Sequence, residues 1–137
     1  YLDLSYEKRK VSKKKIIEME IKKTGKLFSF CCVAPAIIKK KDNQEIKFFE
    51  NLGSKIGLLF QIADDLIDFH GNSKSAGKQT GKDQKKGKAT LISLMGYTNA
   101  VKYCDSIIID TNKTLKKYGS KSKNIKDTLE YILKRDR

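Results

Sequence analysis

The stretch Gly57–Lys88, GLLFQIADDLIDFHGNSKSAGKQTGKDQKKGK, decides how the rest of the chain is read. It starts with helical periodicity, places Asp64, Asp65 and Asp68 on its last turns, and meets a predicted C-cap at Gly71. Asn72 to Lys88 then reads as loop, broken by Gly77, Gly81 and Gly87 and holding six lysines. Just upstream, Ile46, Phe49, Gly53, Ile56, Phe60, Ala63 and Ile67 recur at spacings of three and four. Such a stripe predicts one long helix with a core-facing side. Beside it runs a second stripe, Gly57, Gln61, Asp64 and Asp68, small or uncharged below and acidic above.

Working outward, Ser12 is a candidate N-cap for a helix through Ile16, Ile17, Met19 and Ile21 to Lys23-Thr24-Gly25, with a kink or break expected at Gly25. Leu27 to Ile38 is apolar nearly all round and predicts a helix buried in a bundle, bent or broken at Pro35. Asp42 is the expected N-cap of the long helix. Beyond the loop come a short helix, Ala89–Met95, and a longer one, Tyr97–Tyr118, whose buried face is Ala100, Val101, Cys104, Ile107, Ile108 and Leu115. A last helix carries Ile125, Leu129, Ile132 and Leu133. Residues Tyr1–Lys10 read as irregular. With one proline, no tryptophan and few β-branched alternations, the fold class is all-α. The 137 residues suffice for one domain, and opening at Tyr1 rather than methionine leads us to expect a truncated chain.

Lys and Arg total 30 against 16 acidic residues, a formal net charge of +14. Clustered cations suit a phosphate backbone. Here, however, all but Arg9, Arg135 and Arg137 are lysine, and they are spread through every segment. Arginine is the better base reader, so a lysine-rich composition explains the charge and no nucleic-acid partner is expected. Cys31, Cys32 and Cys104 have neither disulfide-framework nor zinc spacing, and Cys31-Cys32 reads as buried packing in a reducing, cytoplasmic setting. The apolar runs are too short for a transmembrane segment.

Asp64 and Asp68 lie one helical turn apart on one face, with Asp65 turned about 100° away. Their mutual repulsion, and the helix C-terminus near them, both oppose this sequence unless a cation is present. An oxygen-only donor set suits Mg2+, which keeps waters and shares itself with substrate phosphates. An isolated D-D-x-x-D is better read as a solvated acidic helix end. The surroundings change that balance. Gln61 continues the acidic stripe, Lys78 and Lys88 sit among loop glycines that suit a diphosphate, and Lys23-Thr24 lies at the expected kink.

At these residues the chain resembles the trans-isoprenyl diphosphate synthases (polyprenyl synthetases), most closely the bacterial farnesyl and geranylgeranyl diphosphate synthases. Leu2-Asp3-Leu4 is similar to the family's D-L element and Lys23-Thr24-Gly25-Lys26-Leu27 to its K-T-x-x-L motif. Phe60-Gln61 with Asp64-Asp65-x-x-Asp68 resembles the second aspartate-rich motif. Gly77-Lys78, Gly81-Lys82-Asp83 and Gly87-Lys88-Ala89-Thr90 resemble the glycine-lysine elements that follow it. The resemblance takes in residues 1–137 as the C-terminal portion of a single synthase domain.

It implies an isoprenoid synthase helical bundle around a central cavity, and a Mg2+-dependent prenyltransferase. Such an enzyme joins dimethylallyl or geranyl diphosphate to isopentenyl diphosphate, making a short-chain product such as farnesyl diphosphate. By position it implies Asp64, Asp65 and Asp68 as metal ligands. Lys23, Lys78 and Lys88 would hold the diphosphate, and Lys23, Thr24 and Gln61 would be catalytic, the last two with oxygen dipoles near the developing cation. Phe60 would line the second-substrate pocket, and Arg135 resembles the basic C-terminus. It also implies a homodimer for the full-length form. The first aspartate-rich motif is not in these residues, so we expect the isolated piece to be inactive and to expose apolar surface. The alternatives are a non-catalytic subunit of a heteromeric synthase and, on charge alone, a basic helical nucleic-acid-binding module. A terpene cyclase fits less well, since its usual second metal motif is not visible.

Overall fold

The computed structural model describes residues 11–75 and 89–134, and among these there is no strand. Helix α1 spans Lys13–Glu20, and Ser12 caps it by accepting the Lys15 N–H at 3.4 Å. It runs into a π-helical turn, Ile21–Gly25, and then into α2, Lys26–Ile38. The expected break at Gly25 is therefore a widening. Lys26 N–H reaches back five residues to Ile21 O, and the helix continues. Pro35 likewise sits inside α2 without ending it. The backbone bond it removes would have gone to Cys31, and both residues are on the solvent side, where water can serve the carbonyl.

Helix α2 departs from expectation in its burial. Ser29 and Ala36 are buried, but Leu27 and Phe30 are each 67 % exposed and Ile38 is 76 % exposed. Cys31 is exposed too, correcting its assignment to packing, whereas Cys104 is buried; all three thiols are free. An apolar run with no polar face packs on whatever side has a neighbour, and α2 has its neighbour on one side. The turn after it closes with Lys40 at φ 52°, Lys40 N–H on Ile37 O and Lys41 N–H on Ala36 O, a Schellman ending without glycine.

Helix α3, Asn43–Ser75, is the axis of the fold. Asp42 caps it through the Glu45 N–H at 2.8 Å. The helix runs past Gly71, so the expected C-cap there, and the loop assignment of 72–75, are both corrected. Lys78, Lys88, Arg135 and Leu2-Asp3-Leu4 lie outside the described residues. The predicted stripe is buried at Gly53, Ile56 and Ala63 and half-buried elsewhere, but Leu52, Leu58, Leu59, Ile62 and Leu66 are buried as well. The middle of α3 is thus enclosed on nearly all sides, by α2, the π turn and three further helices.

Those helices are α4 (Leu91–Met95), α5 (Tyr97–Leu115) and α6 (Lys123–Lys134). Thr90 and Ser93 form a reciprocal capping box at the start of α4. The fifth helix stops at Leu115, short of the expected Tyr118, and a 3-10 segment (Lys116–Ser122) turns the chain at Gly119, φ 55°. The fully buried Thr111 was not among the expected core positions of α5; its hydroxyl donates to Ile107 O at 2.7 Å, so it packs as an apolar residue would. Helix α5 runs antiparallel to α3. Phe69 stacks on Tyr97 at one end (5.7 Å), and Phe48 and Phe49 meet Tyr118 at the other (5.5 and 5.8 Å). There Tyr118 also donates to Glu45, which pairs with Lys41 at 2.9 Å. No helix of the described residues is long and apolar enough to cross a membrane.

Candidate active site

The site depends first on how closely α2 and α3 approach. A Cβ added at Gly53 would lie 2.5 Å from Phe28 O and from Ser29 Cα, and one at Gly57 would lie 2.5 Å from Gly25 Cα. Backbone meets backbone at both points. The Gly53-x-x-x-Gly57 spacing was visible in the sequence and is the signal for such a crossing. Ser29 locks it by donating its hydroxyl to Glu50 O at 3.2 Å.

Because the helices touch at Gly25 and Gly57, the residue before Gly25 falls beside the residue one turn above Gly57. Thr24 donates its hydroxyl to Gln61 Oε1 at 2.8 Å, joining residues 37 positions apart. Gln61, buried to 8 % exposure, in turn donates through Nε2 to Asp65 Oδ1, one turn along α3, at 3.4 Å, a long and weak bond. The structure therefore brings Thr24, Gln61 and Asp65 into one chain of hydrogen bonds. The last link was not foreseen from the sequence, which grouped Gln61 with Asp64 and Asp68 instead.

Asp64 and Asp65 are half-buried and Asp68 is exposed. Among the described residues no three carboxylate, histidine or cysteine side chains converge as a ready metal cage. Two hard carboxylates a turn apart, at the rim of a packed helix, still fit Mg2+. That ion takes one or two protein oxygens and completes its shell with water and phosphate. The hydrogen bond holding Asp65 is the kind of support that orients a ligating carboxylate. Lys23, on the π turn next to Thr24, is exposed. Phe60 is half-buried with its ring 5.4 Å from that of Phe28, so it ties α2 to α3 on the flank of Gln61. A crevice of about 410 Å³ opens farther down α3, between Ile21, Leu58 and Thr114, and none of the three aspartates lines it.

An all-α frame carrying a K-T turn against a D-D-x-x-D helix is what the resemblance to the isoprenoid synthases implied, and comparison with known proteins agrees. The polyprenyl synthetase family pattern matches residues 1–132. The farnesyl diphosphate synthase of Micrococcus luteus is 29 % identical over 136 residues, covering 99 % of this chain and 47 % of that protein. The short chain isoprenyl diphosphate synthase of Methanothermobacter thermautotrophicus is 40 % identical over 66 % of this chain and 28 % of its own length. Among solved structures, the geranyltranstransferase of Thermotoga maritima superposes with a TM-score of 0.69 at 30 % identity, over 98 % of this chain and 43 % of that one. The chain belongs to the polyprenyl synthetase family. It spans about half the length, or less, of the relatives it matches.

Proposed function

We propose that the chain is the C-terminal portion of a Mg2+-dependent trans-prenyltransferase, condensing dimethylallyl or geranyl diphosphate with isopentenyl diphosphate into a short-chain product such as farnesyl diphosphate. The observation that carries this reading is the Thr24–Gln61 bond, which seats the K-T turn against the helix bearing Asp64, Asp65 and Asp68. The K-T turn and the aspartate-bearing stretch of α3 thereby meet on one helix pair. The names of the matched relatives support the same chemistry.

In this reading Lys23, Lys78 and Lys88 hold the allylic diphosphate by charge. Bound Mg2+ supplies neutralisation of the diphosphate as it departs. The allylic C–O bond breaks with its electron pair leaving on the diphosphate. The double bond of isopentenyl diphosphate then attacks the allylic cation, and a proton is lost from the new chain. Thr24 and Gln61 supply preorganised dipoles beside that cation, whose value lies in needing no reorganisation during the reaction. Phe60 borders the second substrate. The three free thiols agree with a reducing, cytoplasmic compartment, and the full-length form is a homodimer in this proposal.

Binding tests it without turnover. Full-length protein titrated calorimetrically with an allylic thiolodiphosphate, which ionises poorly, should bind in Mg2+ and lose most of that affinity in EDTA and in Lys23→Ala. Equal affinity with and without Mg2+ would overturn the proposal.

A further inference from the structure

Lysines are spread along the sequence, but the fold gathers many of them at one end of the bundle. The turn from α2 to α3 carries Lys39, Lys40 and Lys41, all exposed. The 3-10 segment lies beside that turn, because Tyr118 donates to Glu45 at 3.2 Å and Glu45 also holds Lys41 at 2.9 Å. Lys117 is seated there too, its Nζ 4.1 Å from the centre of the Phe48 ring. Residues 113–126, KTLKKYGSKSKNIK, hold six lysines and no acidic residue, a far denser run than the 30 basic residues among 137 of the whole chain.

Helix ends explain part of this. Lys39, Lys40 and Lys41 follow the C-terminus of α2, and Lys116 and Lys117 follow that of α5, where the macrodipole favours cations. Lys121 and Lys123 stand instead at the start of α6, whose first turn has no acidic residue. There the dipole repels cations, so this placement opposes folding unless an anion lies outside the protein. Lys116, Lys121 and Lys123 are exposed, and among the described residues no carboxylate pairs with them.

We propose that this basic end docks on an anionic lipid bilayer. A lysine cluster of this size beside an amphipathic helix is the pattern that acidic headgroups attract. Lysine suits that partner: fluid headgroups ask for point charges at variable spacing, whereas the arginine fork fits the fixed geometry of bases. Ile38 discriminates further. It is 76 % exposed and directly precedes the three lysines of the α2–α3 turn. An apolar side chain there gains from the acyl boundary beneath the headgroups and gains nothing from a nucleic-acid backbone. Glu45 and Asp65 lie about 30 Å apart along α3, so contact at this end leaves the aspartates away from the bilayer. The inference does not depend on the prenyl-transfer reading.

Vesicle co-sedimentation of the full-length protein tests it. Vesicles of phosphatidylcholine alone should leave the protein in solution. Equal mixtures with phosphatidylserine should bind it at low salt and release it at high salt. Lys116→Gln, Lys121→Gln and Lys123→Gln together should weaken that binding roughly 100-fold, each lysine at the surface being worth about a factor of five. This variant should unfold no earlier than the parent, since charge at the start of α6 is relieved; earlier unfolding would contradict the dipole argument. Neutralising Lys14, Lys15 and Lys102, exposed on α1 and the first half of α5, should cost far less. Equal losses in the two sets would overturn the proposal, because net charge alone would then bind. So would binding to neutral vesicles, or none to acidic ones. Ile38→Ser should weaken vesicle binding several-fold and leave retention on double-stranded DNA unchanged. Tighter binding to DNA than to acidic vesicles, with Ile38→Ser affecting neither, would assign the patch to nucleic acid and overturn the bilayer.

Discussion

Gly57→Ala separates two forces of opposite sign. Gly57 lies inside α3, where alanine is favoured over glycine by about 1 kcal/mol, so propensity alone predicts a more stable protein. The packing predicts the reverse. The new Cβ would stand 2.5 Å from Gly25 Cα, 3.1 Å from Gly25 N and 3.2 Å from the Phe28 ring. Ordinary contact begins near 3.4 Å. A phenyl ring can rotate away, but backbone cannot, so the π turn and α2 must retreat by roughly 1 Å, an overpacking in the upper part of the usual range, about 2–3 kcal/mol. Set against the helix gain, the expected net loss is about 1–2 kcal/mol, or a melting temperature lower by several degrees. The same retreat opens the Thr24–Gln61 bond, now 2.8 Å, towards the limit of a useful contact. Thermal and urea unfolding of the parent and of Gly57→Ala decide the matter. A variant as stable as the parent, or more so, would refute the close-crossing argument.

Further outcomes follow from the thiols and charges. Cys31 is exposed and Cys104 fully buried, so a thiol reagent should label Cys31 first and Cys104 only on unfolding. Cys32, whose pKa is raised by partial burial and by its neighbour Cys31, should react more slowly than Cys31; mass mapping of a time course gives the order. The hydrogen bond from Lys41 holds the Glu45 carboxyl below its ordinary value of 4.5, partly opposed by desolvation. The stabilisation this gives is present above that value and fades as pH falls through the lower folded one. Denaturation midpoints of the parent and Glu45→Gln should therefore differ at neutral pH and converge in acid; a gap that widens in acid would contradict this.

The helices of this fold were legible because their signals are local. Ser12 and Asp42 cap by contacts three residues away, and periodicity marks the core faces of α3, α5 and α6, whereas Thr90, expected inside the short helix, turned out to be its cap. What was illegible depends on neighbours. Whether the apolar surface of α2 is buried depends on how many elements surround it, which its own residues do not record. Gly71 carries a stop signal that the helix overrides, and Thr111 reads as polar until its hydroxyl is seen bonded within its own helix. At the site, one-dimensional spacing paired Gln61 with Asp64 and Asp68, since all share a stripe. Its partners were decided by the crossing of two helices at Gly25 and Gly57, which brought Thr24 across to it.

The most direct test of the central claim is turnover by the full-length protein that carries this chain. Labelled isopentenyl diphosphate would be supplied with geranyl diphosphate and Mg2+, with Asp64→Ala in parallel. The account predicts Mg2+-dependent growth of the prenyl chain that collapses by a factor of roughly 100 or more in the variant. Chain growth unchanged by removing Asp64, or no growth from any allylic diphosphate, would contradict it.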